Sequence, residues 1–132
     1  MDDEQRNAEV VRQLAERWNA GDIEGMLEFY GDDVEMVSDP DWPDPGVAGK
    51  EAFRRYSEEW REAWEKAQID VGQIQAAGER VLVEGAWDVR AAATGISGQM
   101  TFSILFTLRD GLVTRHEWFR DPSEARRMAG LG

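Results

Sequence analysis

The chain has 132 residues, with 15 Lys and Arg against 27 Asp and Glu, for a formal net charge of −12. This length fits one domain, which we expect to span residues 1–132. The negative charge repels nucleic-acid backbones and anionic lipids, so neither is an expected partner. Cys is absent, which excludes a disulfide scaffold, a thiol nucleophile and a cysteine zinc site.

The N-terminal half is predicted to be helical. Its first residues, Met1 to Glu4, are acidic and lack the apolar core of a signal peptide, which predicts a cytoplasmic protein without a membrane span. An apolar stripe at i, i+4 and i+8 predicts a helix over 4–20. Gly21 is a candidate left-handed stop, and Asp22 a candidate N-cap for a second short helix that reaches Tyr30.

A short strand is predicted over 34–37, and a loop over 38–46 follows it. The loop contains three Pro, which exclude both helix and regular strand pairing there. A third helix is predicted over 50–66, because aromatic residues recur on one helical face. These residues are Phe53, Tyr56, Trp60 and Trp64.

The C-terminal half is predicted to form strands. The β-rich segments cover residues 69–76, 80–92, 99–109 and 112–120. Asp110-Gly111 is a strong hairpin turn, because both residues tolerate positive φ. Asp121-Pro122 resembles an N-cap and first-turn Pro, which predicts a short C-terminal helix. Helices followed by an antiparallel meander predict an α+β fold.

Four sequence segments carry a family resemblance. They are Asn19-Ala20-Gly21-Asp22, Asp32-Asp33 before a strand, Val47-Ala48-Gly49-Lys50 and Phe106-Thr107-Leu108-Arg109-Asp110-Gly111. With the order of predicted elements, they resemble the SnoaL-like branch of the NTF2-like superfamily, which includes polyketide cyclases and ketosteroid isomerases. The resemblance implies a cone in which a curved antiparallel or mixed sheet wraps three N-terminal helices around a deep pocket, with a short C-terminal helix. It also implies a homodimer across the outer face of the sheet.

Asp39-Pro40 follows the first predicted strand. In similar steroid isomerases this region holds a carboxylate that moves a proton beside a carbonyl, so the resemblance implies Asp39 as general base. The match is displaced by one residue, and the alternative is an Asp that begins a turn before Pro. The isomerases' two oxyanion donors are replaced by Leu14 and Ile104, which cannot donate hydrogen bonds, so a steroid-isomerase mechanism is not expected.

The last predicted strand contains the chain's single His. Alternation puts His116, Trp118 and Arg120 on one face. In polyketide cyclases the matching strand carries a His followed two residues later by a catalytic Asp. The resemblance therefore implies His116 as proton donor or orienter, with Trp118 in the place of the acid. The alternative is a hydrogen-bonded wall residue. Glu117 could act only if the strand register differed by one.

The strand predicted over 80–92 has two distinct faces. Glu84, Asp88 and Arg90 share one face, and a Val-rich face with Trp87 lies opposite. Alternation alone does not tell which face is inward. We favour the charged face as inward, from the aligned isomerase positions. Arg90 and Arg120 are then candidate anion stabilisers, and the two carboxylates line the pocket.

Aromatic residues are expected to complete the pocket. Those predicted to surround it are Trp18, Tyr56, Trp60, Trp64 and Trp118, with Trp42 of the Pro-rich loop at its mouth and Ile104 on the sheet. The alternative is that the helical aromatic stripe is ordinary core. The opposite face of the sheet would then expose Val83, Trp87 and Phe119, which predicts an isologous homodimer.

Two functions remain open from the sequence. One is cofactor-free acid–base chemistry on a small, largely apolar molecule: isomerisation, cyclisation or hydration. The other is a non-catalytic ligand-binding or dimerisation module. Phosphate-binding glycine loops and the His-Glu-x-x-His motif are absent from the sequence, and one His cannot make a multi-His metal site, so no cofactor or metal is expected.

Overall fold

The N-terminal half of the chain is largely helical, and the C-terminal half forms a sheet. A computed structural model describes residues 2–38, 46–119 and 121–131. The helices in these residues are α1 (Asp3–Asn19), α2 (Ile23–Leu27), α3 (Lys50–Ala63) and α4 (Pro122–Met128). The strands are β1 (Tyr30–Val37), β2 (Gly46–Ala48), β3 (Trp64–Ala77), β4 (Arg80–Ala91), β5 (Ser97–Arg109) and β6 (Leu112–Phe119). Within the described ranges, no helix combines the length and apolar character needed to cross a bilayer.

The predicted end of α1 and the predicted start of α2 are confirmed. Gly21 follows α1 with φ of +77°, a conformation that favours glycine. Asp22 caps α2, because its carboxylate accepts a hydrogen bond of 2.8 Å from the backbone N–H of Gly25. At the C-terminus, Asp121 caps α4 and Pro122 occupies its first turn, as the sequence predicts.

The six strands form one mixed sheet in the order β2-β1-β6-β5-β4-β3. Strands β3 to β6 are an antiparallel meander, while β1 pairs with β6 in parallel. The β5–β6 turn has positive φ at both Asp110 and Gly111, 54° and 79°, as expected for this dipeptide. The predicted α+β class is therefore confirmed, with α1 to α3 packed on one face of the sheet and α4 on the other.

Two predicted boundaries are wrong at aromatic residues. The second helix ends at Leu27, and Tyr30 begins β1. The third helix ends at Ala63, and Trp64 begins β3 with extended backbone angles. In both cases strand pairing overrides a continued helical pattern, because Tyr30 pairs opposite Val113 and Trp64 opposite Ala91.

The assignment of the two faces of β4 is also corrected. Val83, Trp87 and Val89 are buried on the inner face, under the helices. Glu84 and Asp88 lie on the outer face, with ion pairs to Arg126 at 3.4 Å and to Lys66 at 2.9 Å. The physical reason is desolvation: charged groups keep water and partners on the outer face, whereas the Val side chains of the other face have no polar group to desolvate.

The outer face carries one apolar patch of its own. Leu82 and Leu105 lie there, and Ala125 and Ala129 at the C-terminal end of the chain cover them, with Phe119 packed alongside. Val83 and Trp87 lie inside, so of the three residues expected to expose apolar surface on this face only the partly buried Phe119 lies there. The homodimer itself stays a prediction.

Candidate functional site

A cavity of about 380 Å³ lies between the helices and the inner face of the sheet. Helices α1 to α3 supply one wall, and strands β4 to β6 supply most of the other. The lining is dominated by aromatic side chains. They are Trp18, Tyr30, Phe53, Tyr56, Trp60, Trp87, Phe102, Phe106, His116 and Trp118, and Phe119, which packs against the outer-face patch, also borders the cavity. The remaining lining residues are aliphatic or small, apart from Ser38, Ser57 and Thr101.

His116 is a buried polar residue in the wall of this cavity. It lies on β6 opposite Phe106, is 6% exposed, and packs against the Phe106 ring with centroids 4.7 Å apart. Its Nδ1 is hydrogen-bonded to the Tyr30 hydroxyl at 3.1 Å. Its Nε2 is buried and has no hydrogen-bond partner among the described residues.

Burial determines the charge of both members of this pair. Desolvation lowers the pKa of His116 to about 3, so the imidazole is neutral at pH 7. Desolvation likewise raises the pKa of Tyr30 above its ordinary value, so the phenol keeps its proton. The His116 ring is thus a neutral, uncharged group in an apolar wall.

The hydrogen bond to Tyr30 selects the tautomer of His116. Within the described ranges, His116 Nδ1 is the only partner of the Tyr30 hydroxyl. If the Tyr30 hydroxyl donates to Nδ1, only the Nε2–H of the pair lacks a partner, whereas the reverse arrangement leaves both the phenol proton and Nε2 without one. On this count we assign the imidazole proton to Nε2, and His116 then carries a buried N–H donor that no acceptor of the described chain satisfies.

The indole groups around the cavity differ in how their N–H groups are satisfied. The Trp18 Nε1 donates to the Ala67 carbonyl at 2.9 Å, and the Arg61 guanidinium lies 5.1 Å from the Trp18 ring centre. By contrast, the Nε1 atoms of Trp60 and Trp87 are buried and have no acceptor among the described residues. The N–H of Trp18 is thus satisfied by the protein itself, and the N–H groups of Trp60 and Trp87 are not.

The structure brings six of the predicted site residues together. Those that line the cavity are Trp18, Tyr56, Trp60, Ile104, His116 and Trp118. His116 and Trp118 share the inner face, as alternation predicts, with ring centres 5.4 Å apart. Glu117 lies on the other face, where it pairs with Arg115 at 3.1 Å, so the shifted register that would bring it inside does not occur.

Four predicted site residues lie outside the cavity lining. Glu84, Asp88 and Arg90 are on the outer face, and the Arg90 Nε donates to Ser97 at 3.3 Å. Trp64 begins β3 and packs against Trp60, with ring centres 5.7 Å apart, rather than lining the cavity. The helical spacing that placed it inside does not apply to a strand residue.

Three more predicted site residues, Asp39, Trp42 and Arg120, lie outside the described residues. Sequence reasoning also missed two residues that matter. The sequence pattern predicts a helical stripe for Tyr30 and the outer face for Trp87, whereas both line the cavity. For Trp87 the usable signal is the run of Val residues on its face of β4, since a face of Val and Trp is the one that burial favours.

The described lining offers hydrogen-bond donors and aromatic surface but no ionic group. None of the cavity-lining residues in ranges 2–38, 46–119 and 121–131 is Asp, Glu, Lys or Arg. Across the same ranges, no cluster of three or more His, Asp or Glu side chains is arranged to hold a metal ion. The described residues suit recognition of an apolar molecule through donated hydrogen bonds.

Comparison with known proteins identifies the family. The family model of the SnoaL-like domain matches residues 11–116. The chain therefore belongs to the SnoaL-like family, as the sequence resemblance implies. None of the curated proteins compared with the chain matches it.

Solved structures share the same fold over nearly the whole chain. A candidate polyketide cyclase from Xanthomonas campestris pv. campestris is 24% identical, with a TM-score of 0.82, and the match covers 93% of this chain and 96% of that one. A candidate SnoaL-like polyketide cyclase from Mesorhizobium loti is 28% identical, with a TM-score of 0.70 over 85% and 97%. TerC, co-crystallised with polyporic acid, is 22% identical, with a TM-score of 0.78 over 95% and 98%.

Proposed function

We propose that this chain binds a small, largely apolar and uncharged molecule in the aromatic cavity, with an acceptor atom of the ligand held by His116. The observation that carries the proposal is the neutral, buried His116, whose Nδ1 is occupied by Tyr30 and whose Nε2 has no partner among the described residues. A buried donor without a partner is costly, so a ligand acceptor at Nε2 gains more than a solvent-exposed hydrogen bond would.

The size and lining of the cavity support the same proposal. A volume of about 380 Å³ lies within the range of small-molecule pockets. Aromatic walls contribute large apolar contact area, and a few fixed donors orient the ligand. TerC, which has the same fold, was co-crystallised with the small molecule polyporic acid, and this supports a ligand-binding role for the fold.

The test uses two bicyclic probes of similar shape, 1-tetralone and tetralin, which differ by one carbonyl. Quenching of Trp fluorescence measures their affinities. Wild-type protein is expected to bind 1-tetralone more tightly, by about 5- to 10-fold, the scale of one net hydrogen bond. In His116→Phe this preference is expected to disappear, because the ring remains but the N–H is lost.

The control for this test separates binding from folding. His116→Phe leaves the Tyr30 hydroxyl without its acceptor, so the double variant Tyr30→Phe/His116→Phe removes that unpaired group as well. Both variants are checked by urea unfolding. An equal preference for 1-tetralone in wild type and in a folded variant would reject the role of His116.

A second candidate function is cofactor-free catalysis, by isomerisation, cyclisation or hydration. Here we propose Asp39 as base, His116 as proton donor or orienter and Arg120 as anion stabiliser. The supporting observation is that Ser38, the residue before Asp39, is buried and lines the cavity. A pKa of about 3 makes His116 a weak base, so its role in such a reaction is to donate a hydrogen bond to a carbonyl.

The catalytic candidate is tested at Asp39, because the amide of Asp39→Asn cannot accept a proton. One suitable assay follows exchange of the carbon-bound hydrogens next to the carbonyl of 1-tetralone with D₂O by NMR. Wild-type protein is expected to accelerate the exchange, and Asp39→Asn to lose roughly 100-fold of that acceleration. If wild-type protein binds 1-tetralone without accelerating exchange, the chain is a binding module for this class of molecule.

A further inference from the structure

Two indoles of the cavity carry donor groups that the fold does not use, and the inference drawn from them rests on the proposed binding function. Two cavity-lining indoles, Trp60 and Trp87, have buried N–H groups without an acceptor in the described ranges. Trp18, which lines the same cavity, donates to a backbone carbonyl. The contrast shows that the fold can satisfy an indole donor at this wall, and that it does so for Trp18 but not for Trp60 or Trp87 within the described residues.

Unpaired donors of this kind carry a cost. A buried N–H without a partner destabilises a protein by about 1–3 kcal/mol, and buried Trp side chains usually find an acceptor. Trp87 is only 6% exposed. Such a cost, together with the unpaired His116 in the same cavity, is what a site prepared for an acceptor-bearing ligand would show.

Within the cavity, the His116 donor lies apart from the donors of Trp60 and Trp87. Trp118 stands between them, with its ring centre 5.4 Å from His116 and 6.0 Å from Trp87. Trp60, from α3, lies beside Trp87 with ring centres 5.9 Å apart. One ligand atom at His116 therefore leaves the Trp60–Trp87 end available to another part of the same molecule.

We infer that Trp87, assisted by Trp60, forms a second acceptor subsite, so that the ligand carries two uncharged oxygen acceptors at separate ends of an apolar skeleton. Trp118 would contact the skeleton between them. The acceptors are uncharged because the described lining has no Lys or Arg to pair with an anion, and an unpaired charge in an apolar wall costs more than a donated hydrogen bond returns.

The indole N–H groups are reached through a ring movement. Trp87 packs against Trp18 and Trp60 with ring centres 5.5 Å and 5.9 Å away, and its N–H is covered by its surroundings. A rotation that turns this N–H toward the cavity gives it the acceptor that the protein lacks. Ligand binding is therefore expected to change the emission of Trp87, which removal of this residue would reveal.

The test compares two probes that differ at one atom. They are 6-acetyl-1-tetralone and 6-isopropenyl-1-tetralone, in which C=O is replaced by the similarly shaped C=CH₂. Affinities are measured by calorimetry for wild type, Trp87→Phe, Trp60→Phe and Trp64→Phe. Trp64 is the matched control, because its N–H is also buried and unpartnered but it does not line the cavity. Urea unfolding checks that each variant folds.

The expected result is that wild type and Trp64→Phe prefer the acetyl probe by about 5- to 50-fold. In Trp87→Phe the isopropenyl probe should bind as well or better, because the acetyl oxygen then loses water without gaining a donor. Trp60→Phe should reduce the preference by a smaller factor. If Trp87→Phe does not fold, a preference that is smaller in a folded Trp60→Phe than in Trp64→Phe carries the same conclusion.

Three outcomes overturn the inference. The first is no preference for the acetyl probe in wild type while 1-tetralone still binds through His116, which leaves the proposed function standing. The second is an equal preference in every folded variant. The third is tighter binding of the anion 1-tetralone-6-carboxylate than of the acetyl probe, which would reject uncharged acceptors. If no probe binds the wild-type protein, the proposed function fails together with the subsite.

Discussion

The two faces of the sheet are built from the same strands but obey different rules. On the inner face, β4 to β6 present Val83, Trp87, Ile104 and His116, all buried and without an ionic group. On the outer face of the same strands, carboxylates and guanidinium groups pair with one another, as Arg115 does with Glu117 at 3.1 Å. The difference shows that position relative to water, rather than strand identity, decides which polar groups are tolerated.

The single titratable imidazole on the inner face follows the same rule. His116 lies there only as a neutral ring, because burial lowers its pKa to about 3. A neutral ring with one donor to offer is compatible with an apolar ligand, whereas a charged one is not. The proposed binding of an apolar, uncharged ligand therefore depends on an inner face without charge.

The largest expected effect comes from placing a charge on the inner face. Val83→Asp puts a carboxylate at a buried position, and we expect a loss of about 4 kcal/mol in the free energy of unfolding, or failure to fold. The neighbouring Glu84→Gln removes an outer-face charge whose pair with Arg126 is partly exposed, and should cost less than about 1 kcal/mol. Urea unfolding compares the two, and equal losses would contradict the assignment of the faces.

A second prediction concerns the apolar patch on the outer face. Leu82 is buried there under Ala125 and Ala129, so Leu82→Ala should cost about 3 kcal/mol, as truncation of a buried Leu does. Gln99→Ala, at an exposed position on the same face, should change stability by less than about 0.5 kcal/mol. A small effect at Leu82 would mean that α4 does not cover the sheet in solution.

A third prediction tests the close packing between β3 and β4. A Cβ added at Gly85 would lie 2.3 Å from the carbonyl oxygen of Asp70, a backbone atom that cannot easily move. Gly85→Ala should therefore destabilise the fold by about 2 kcal/mol. A Cβ at Gly98 would meet nothing within 4 Å, so Gly98→Ala serves as the control and should be nearly neutral. Thermal unfolding by circular dichroism measures both.

The pH dependence of stability provides a fourth prediction. The folded-state pKa of His116, about 3, lies below the ordinary value of 6.5, so the unfolded chain binds more protons between these values. Stability should therefore fall as pH drops below 6.5, by up to about 1.4 kcal/mol per pH unit from this group. Urea unfolding between pH 7 and 5 measures the slope, and His116→Phe should remove this part of it. If His116→Phe and wild type show the same pH dependence of the free energy of unfolding, His116 is exposed to water and not buried.

The smallest expected effect is on an outer-face ion pair. Lys66 and Asp88 are 2.9 Å apart, with half-exposed side chains. A double-mutant cycle with Lys66→Ala and Asp88→Ala should give a coupling of about 0.5 kcal/mol or less, and less still at high salt. A coupling of several kcal/mol would mean that this pair is shielded from water and that the outer face is covered.

Much of the fold could be predicted from local sequence. Gly21, Asp22 and Asp110-Gly111 each fix a backbone conformation by themselves, and the structure confirms all of them. The boundaries at Tyr30 and Trp64 could not be predicted in this way, because aromatic residues suit both helices and strands and the choice depends on pairing with a distant segment.

The candidate site could also be predicted only where a local sequence pattern determines it. Alternation places His116 and Trp118 on one face without any knowledge of the fold. It does not say which face of β4 is inward, and the aligned positions of related proteins suggested the wrong one. The hydrogen bond between Tyr30 and His116 joins residues 86 positions apart, so no local pattern in the sequence predicts it.

The most direct test of a neutral, ligand-binding His116 is ¹⁵N NMR of its imidazole, which is unambiguous because the chain contains one His. A neutral ring is expected down to at least pH 5, with the proton on Nε2, and the Nε2 signal is expected to change when 1-tetralone binds. A ring that titrates near pH 6.5, or an Nε2 signal unchanged by bound 1-tetralone, would contradict this expectation.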